Sequence, residues 1–142
     1  MSDDINDSDI RRLLRDNRNV AMVGTSPHAQ RDSYSVMGYL QRHGYRVFPV
    51  NPTATGQTIH GETVYASLAE VPEKIDIVDV FRRSDAVAGI VDEIVALPGK
   101  PPVQVLWLQL GVVDRAAAAR ARAAGIEVVM NRCMRIEHRR LM

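Results

Sequence analysis

The chain has 142 residues, 46% of them apolar and 25% charged, an ordinary balance for one cored domain. With 18 basic residues against 17 acidic the net charge is +1, so bulk charge draws the molecule neither to nucleic acid nor to a membrane surface, and an anionic ligand must be held locally. The single cysteine, Cys133, excludes an internal disulfide framework, and no apolar run approaches the ~20 residues of a membrane span.

The start, MSDDINDSD, lacks the basic-then-apolar order of a signal peptide, so a reducing cytoplasm is the expected compartment. Residues 1–7 are polar enough to fray, which places the folded domain at 8–142. Ser8 or Asp9 is suited to cap a short helix whose apolar positions Ile10, Leu13 and Leu14 share one face, ending near Asn17. A regular alternation follows. Asn19–Val23, Arg46–Val50, Asp76–Val80, Val103–Leu108 and Glu127–Met130 are five short, nearly continuous apolar runs, as expected of parallel strands covered on both faces. Between them the pattern predicts a helix over Ser35–His43 closed by Gly44, and a short turn around Ser67–Val71. Further helices are predicted over Ser84–Leu97, stopped by Pro98-Gly99, and over Asp114–Ala124, closed by Gly125. Ser84 and Asp114 are the expected N-caps. The last segment, from Asn131 to Met142, reads as a terminal helix.

This alternation, with right-handed crossovers, predicts a single-domain α/β fold built on a doubly wound, Rossmann-like parallel sheet of about five strands. The expected strand order is 3-2-1-4-5, which opens a ligand crevice at the carboxyl ends of strands one and four. The informative loops then follow Val23, Val50, Val80 and Leu108.

After the first strand, Gly24 permits a tight turn, and the helix start beyond it aims free N–H groups at the crevice. Arg31 adds a planar fork of donors, and Thr25, Ser26, Ser33 and Ser35 add hydroxyls. A polar, well-capped loop with a surface arginine explains the same residues. No G-x-G-x-x-G fingerprint is present, and the second strand ends in Asn51-Pro52 with no carboxylate for a ribose diol, which disfavours a plain NAD site. The absent carboxylate suits a ligand with a phosphorylated ribose; Asn-Pro is also a common turn pair.

The third strand runs from Val80 into Phe81, Arg82 and Arg83. Phe81 suits packing on a base or a pantetheine chain, or plugging the core beneath the loop. Two arginines at a helix start oppose the helix dipole by roughly 0.3–1 kcal/mol each, unless an anion is near. Gln109 and Gly111 follow the fourth strand. Cys133, Glu137 and His138 come close in sequence, but no oxyanion arrangement or orienting third group accompanies them, so no catalytic residue is assigned. The four histidines have no metal-ligand spacing, no metal site is expected, and neither a GxSxG elbow nor a Walker lysine loop occurs.

The run VAMVGTSPHAQRDSYSVMGYLQRHGYRVFPVNP, followed in order by HGETVYASL, DIVDVFRRSD, VLWLQLGV and NRCMRIEH, resembles the small stand-alone CoA-binding proteins. These are similar to the amino-terminal CoA-binding domain of the succinyl-CoA synthetase α subunit. The resemblance covers the chain from about Ile10 to Leu141. It implies coenzyme A or acyl-CoA at the carboxyl edge of the sheet. It places Gly24, Ser26 and Arg31 in a phosphate loop, Asn51 and Pro52 after the second strand, Val80, Phe81 and Arg82 after the third, and Gln109 and Gly111 in the fourth-strand motif. The family usually has an acidic residue where Asn131 stands, so no acid/base role follows from that position. The chain also has no room for the second synthetase domain that bears a phosphorylated histidine, so ligase activity alone is not expected. The expected function is non-catalytic CoA binding. The alternatives are a component of a CoA-dependent acyl-transfer or ligase system, or an oxidoreductase with a nucleotide cofactor. A small-molecule ligand is the expected partner, with neither nucleic acid nor membrane.

Overall fold

All five apolar runs become parallel strands, because only a sheet with helices on both faces buries side chains that point alternately up and down. The computed structural model of the chain describes residues 5–142. In chain order the elements are α1 (Asp7–Asp16), β1 (Asn19–Val23), α2 (Asp32–Arg42), β2 (Arg46–Val50), β3 (Thr58–Ile59), β4 (Glu62–Thr63) and β5 (Ile77–Val80). They continue with α3 (Val87–Val95), β6 (Val105–Leu108), α4 (Arg115–Ala123), β7 (Glu127–Met130) and α5 (Met134–Leu141). Short 3₁₀ turns lie at Leu68–Glu70 and Ser84–Ala86. No described helix is long and apolar enough to cross a membrane.

The main sheet has the order β2-β1-β5-β6-β7, all parallel. The doubly wound architecture is as expected, but the third long strand pairs with the first, giving 2-1-3-4-5 instead of 3-2-1-4-5. Pro49 supplies a physical reason. Its carbonyl points to the outer side of β2, where it accepts from Tyr65 N–H at 2.9 Å, and its ring nitrogen offers no donor on that side. A proline there suits an edge strand and would cost a central one a ladder hydrogen bond.

Met22, Ile77, Trp107 and Val129 face the layer of α1, α2 and α5, while Ala21, Val78, Leu106 and Val128 face α3 and α4. From β1 the chain leaves for α2 on the first face; from β5 it leaves for α3 on the second. The ligand crevice expected at a strand-order reversal therefore opens between the carboxyl ends of β1 and β5, not strands one and four.

Helix starts differ from expectation in three places. Asn6, not Ser8 or Asp9, caps α1, its side chain accepting from Asp9 N–H at 2.8 Å, and this sets Asp7 and Asp9 at the positive end of the helix dipole. Of the stretch expected to fray, residues 1–4 lie outside the described residues, whereas Asn6 and Asp7 cap and open α1. Helix α2 begins at Asp32, ahead of Ser35. Ser84 caps nothing; its hydroxyl accepts from Val113 N–H at 2.9 Å and contacts the Gly111 carbonyl at 3.4 Å, tying the loop after β5 to the loop after β6. Asp114 does cap α4, accepting from Ala117 N–H at 2.9 Å.

The unexpected element is the hairpin β3–β4. Its turn residues His60 and Gly61 both have positive φ, +47° and +81°, the conformation that matches strand twist in a two-residue hairpin. His60 Nε2 donates to the Tyr34 carbonyl at 2.8 Å, and the ring stacks 4.1 Å from Tyr34, so the hairpin tip is pinned to α2.

Candidate functional site

The site is built where β1 and β5 part. At Gly24, φ is +88°, and a Cβ there would lie 2.3 Å from the Phe81 carbonyl oxygen and 2.9 Å from Arg82 Cδ, so only glycine lets the two loops close on each other. Thr25 turns inward, fully buried, and its hydroxyl donates to the Met22 carbonyl. Ser26 N–H donates to Ser33 Oγ at 2.9 Å and Ser26 Oγ accepts from His28 N–H at 3.1 Å, folding the loop over the start of α2.

At that start Arg31 is the N-cap but makes no capping bond with its side chain, and no carboxylate pairs with it among the described residues. Its carbonyl accepts from Tyr34 and Ser35 N–H groups at 3.1 and 3.4 Å, leaving the N–H groups of Asp32 and Ser33 without an acceptor inside the helix. Asn51 closes the opposite wall. Its amide donates to the Thr25 carbonyl at 2.9 Å, and its Oδ1 accepts from Thr53 N–H and Thr53 Oγ1 at 3.0 and 2.8 Å. Together these residues enclose a cavity of about 590 Å³ with a mainly polar wall, containing Gly24, Ser26, Arg31, Ser33, Asn51 and Phe81. Pro27, His28, Asp32, Thr53, Ala54 and Gln57 complete it.

A second cavity, of about 470 Å³, adjoins the first across Phe81 and Asp32. Arg82 and Gln109 line it, with Arg83, Arg135 and a more apolar set that includes Val36, Leu110, Val112, Cys133 and Ile136. Gln109 is buried, and its Oε1 accepts from Met134 N–H at 3.2 Å.

Of the residues singled out from the sequence, Gly24, Ser26, Arg31, Ser33, Asn51, Phe81, Arg82 and Gln109 thus line one or both cavities. Four do not. Thr25 braces the loop from inside, and Val80 is wholly buried in the core on the α3 side. Pro52 stands exposed in the turn, its carbonyl accepting from Thr55 Oγ1 at 3.2 Å. Ser35 points toward α5, its hydroxyl accepting from Arg135 at 2.9 Å. Thr53 and Gln57 were not anticipated, because their turn carries no strand or helix periodicity. Leu110 and Ile136 were missed because 25 or so residues separate them.

The carboxyl-terminal trio is committed to structure. Cys133 is a buried thiol that opens α5. Burial alone would raise the Glu137 pKa, but hydrogen bonds from Arg140 and Arg132, at 2.9 and 2.7 Å, outweigh it and hold the carboxyl below its ordinary value. His138 Nδ1 is hydrogen-bonded to the Tyr39 hydroxyl at 2.8 Å, and burial, helped by His43, lowers its pKa. Among the described residues no group of three or more His, Cys, Asp or Glu side chains is arranged to hold a metal ion.

Asp79, one residue before the end of β5, stands between Met22 and Trp107 in register. It is fully buried, and neither carboxylate oxygen has a partner among the described residues. Desolvation pushes its pKa well above the ordinary carboxylate value, favouring the protonated form.

Comparison with known proteins identifies the family and the fold. The profile of a family described as a CoA binding domain matches residues 18–139. An uncharacterized Bacillus subtilis protein, YneT, is 33% identical over 131 residues, covering 92% of this chain and 93% of its own. The structure of a hypothetical protein from Pyrococcus horikoshii superposes with a TM-score of 0.88 at 38% identity, over 98% of this chain and 94% of that one. A dinucleotide-forming acetyl-coenzyme A synthetase from Candidatus Korarchaeum cryptofilum shares the fold over 86% of this chain and 28% of its own, with a TM-score of 0.67 at 24% identity.

Proposed function

Because this chain belongs to the CoA binding domain family, we propose that it is a coenzyme A-binding protein whose ligand lies across the β1–β5 switch point. The phosphates occupy the polar cavity at the start of α2, and the pantetheine arm leads over Phe81 toward Gln109. One observation carries this reading: the unpaired Arg31 and the outward N–H groups of Asp32 and Ser33 converge on a 590 Å³ polar cavity, an arrangement suited to phosphate by both charge and dipole.

Asn51 supports the choice of nucleotide. It ends β2 where a NAD site places a carboxylate for the ribose diol, and its carboxamide is spent on Thr25 and Thr53. A ribose that carries a phosphate is better tolerated by such a wall. Binding without autonomous chemistry is favoured by the trio Cys133, Glu137 and His138, each of which is buried or engaged in structural contacts.

Calorimetric titration of the wild type and Arg31→Ala with CoA and with dephospho-CoA tests the placement. A charge-assisted hydrogen bond contributes about 1.5–3 kcal/mol, so the variant should bind CoA roughly 10- to 100-fold more weakly. If both ligands weaken alike, Arg31 serves the pyrophosphate; if only CoA does, it serves the ribose phosphate. Changes of less than about twofold for both ligands, ~0.4 kcal/mol, would remove Arg31 from the site.

A further inference from the structure

The second cavity has walls that neither a phosphate nor a nucleotide base requires. Leu110, just after β6, and Ile136, in the first turn of α5, stand 58% and 49% exposed on its rim. They are two of only four large hydrophobic side chains so exposed among the described residues. Scattered singly, exposed apolar residues need no explanation, but two on the mouth of one cavity form a shared apolar wall.

Gln109 makes the cavity directional. Its side chain is 95% buried by its 5% exposure, and the Met134 N–H fixes Oε1 as the acceptor end. Its Nε2 is thereby turned away from that bond and finds no partner among the described residues, although the residue lines the cavity. Among the described residues only the two Asp79 oxygens are buried side-chain polar atoms without a partner, so Nε2 reaches the open space of the cavity and is free to donate to a ligand there. The chemistry that answers both features is a carbonyl followed by an aliphatic chain.

We propose that this cavity receives the acyl group of an aliphatic acyl-CoA, the thioester carbonyl accepting from Gln109 Nε2 and the chain lying against Leu110 and Ile136. The proposal rests on the reading of the crevice as a CoA site. It follows from the two cavities sharing Phe81 and Asp32 as wall, so that a ligand anchored at α2 and led over that ring brings its sulfur end to the second cavity. Arg82, Arg83 and Arg135 line the same cavity with Asp32; Arg83 pairs with Asp85 at 3.4 Å and Arg135 donates to Ser35, while Arg82 has no carboxylate partner among the described residues. The exposed Leu110 and Ile136 select the aliphatic chain, and a carboxylated acyl group is the competitor that these arginines require the test to include.

The test is a calorimetric series of CoA, acetyl-CoA, butyryl-CoA and succinyl-CoA against the wild type, Gln109→Leu and Leu110→Ser/Ile136→Ser. A fully buried methylene is worth about fourfold in affinity, and a partly open wall about twofold, so butyryl-CoA should bind roughly 4- to 15-fold tighter than acetyl-CoA. The Leu110→Ser/Ile136→Ser protein should compress that ratio to within about twofold, and Gln109→Leu should erase the preference of acetyl-CoA over CoA. If CoA binds but the acyl series is flat, the acyl group projects into solvent and the inference falls while the CoA site stands. Succinyl-CoA binding tighter than butyryl-CoA would assign the cavity to a carboxylate instead. If no member of the series binds, the CoA site itself is refuted and the inference with it.

Discussion

Asp79 shows how far a single side chain can stand outside the rules of its surroundings. Burial raises its folded-state pKa above the unfolded value near 3.8, so the protonated form is the one compatible with the fold. Its contribution to stability is complete below the unfolded value and is lost as pH rises from there toward the folded one, by up to about 1.4 kcal/mol per pH unit. Asp79→Asn keeps the shape and removes the titration. Denaturant unfolding across pH 4–8 should show the variant gaining on the wild type as pH rises; parallel curves would mean that the carboxyl finds a partner or water in the folded protein. Asp79 was not singled out from the sequence, although a carboxylate inside the apolar run Ile77–Val80 is itself a signal. Gly24, by contrast, was legible, since a glycine after the first strand is where a close loop approach is expected. The inward turn of Thr25 was not, because a hydroxyl that braces its own backbone reads like one that faces a ligand.

Among the elements, the strands were the most legible, and β7 has the bounds its apolar run predicts. Their order was not read correctly because Pro49 was counted as strand filler rather than as the mark of an edge. The start of α2 was placed late because the serines after Asp32 resemble loop residues, although Asp32 is well suited to a first helical turn. The hairpin β3–β4 was invisible to periodicity, its strands being two residues each. That segment bears on the candidate site, since the turn leading to it supplies Thr53 and Gln57 to the polar cavity and is held by Asn51. Asn51→Ala removes the bond to the Thr25 carbonyl and both bonds to Thr53, so the two walls should move independently. The expected outcome is CoA affinity lowered about three- to tenfold with a loss of stability on the order of 1 kcal/mol, read by titration and urea unfolding respectively. An unchanged affinity would show that the strap does not contribute to the site.

For the whole molecule, the reversal of strand order between β1 and β5 explains why residues from the loops after β1, β2, β5 and β6 meet those of α2 and α5 at one edge. The family resemblance anticipated that edge, but the division into a polar and an apolar cavity depends on Leu110 and Ile136, which only the fold brings together. The central claim is that the native protein, and not its unfolded chain, binds coenzyme A. Thermal melting with and without CoA tests it most directly. At a hundredfold excess over Kd, the ligand adds about 2.7 kcal/mol, which for a domain of this size raises Tm by roughly 5–10 °C. A midpoint that rises with CoA concentration is the expected result, whereas one left unmoved by millimolar CoA and acyl-CoA would contradict CoA binding.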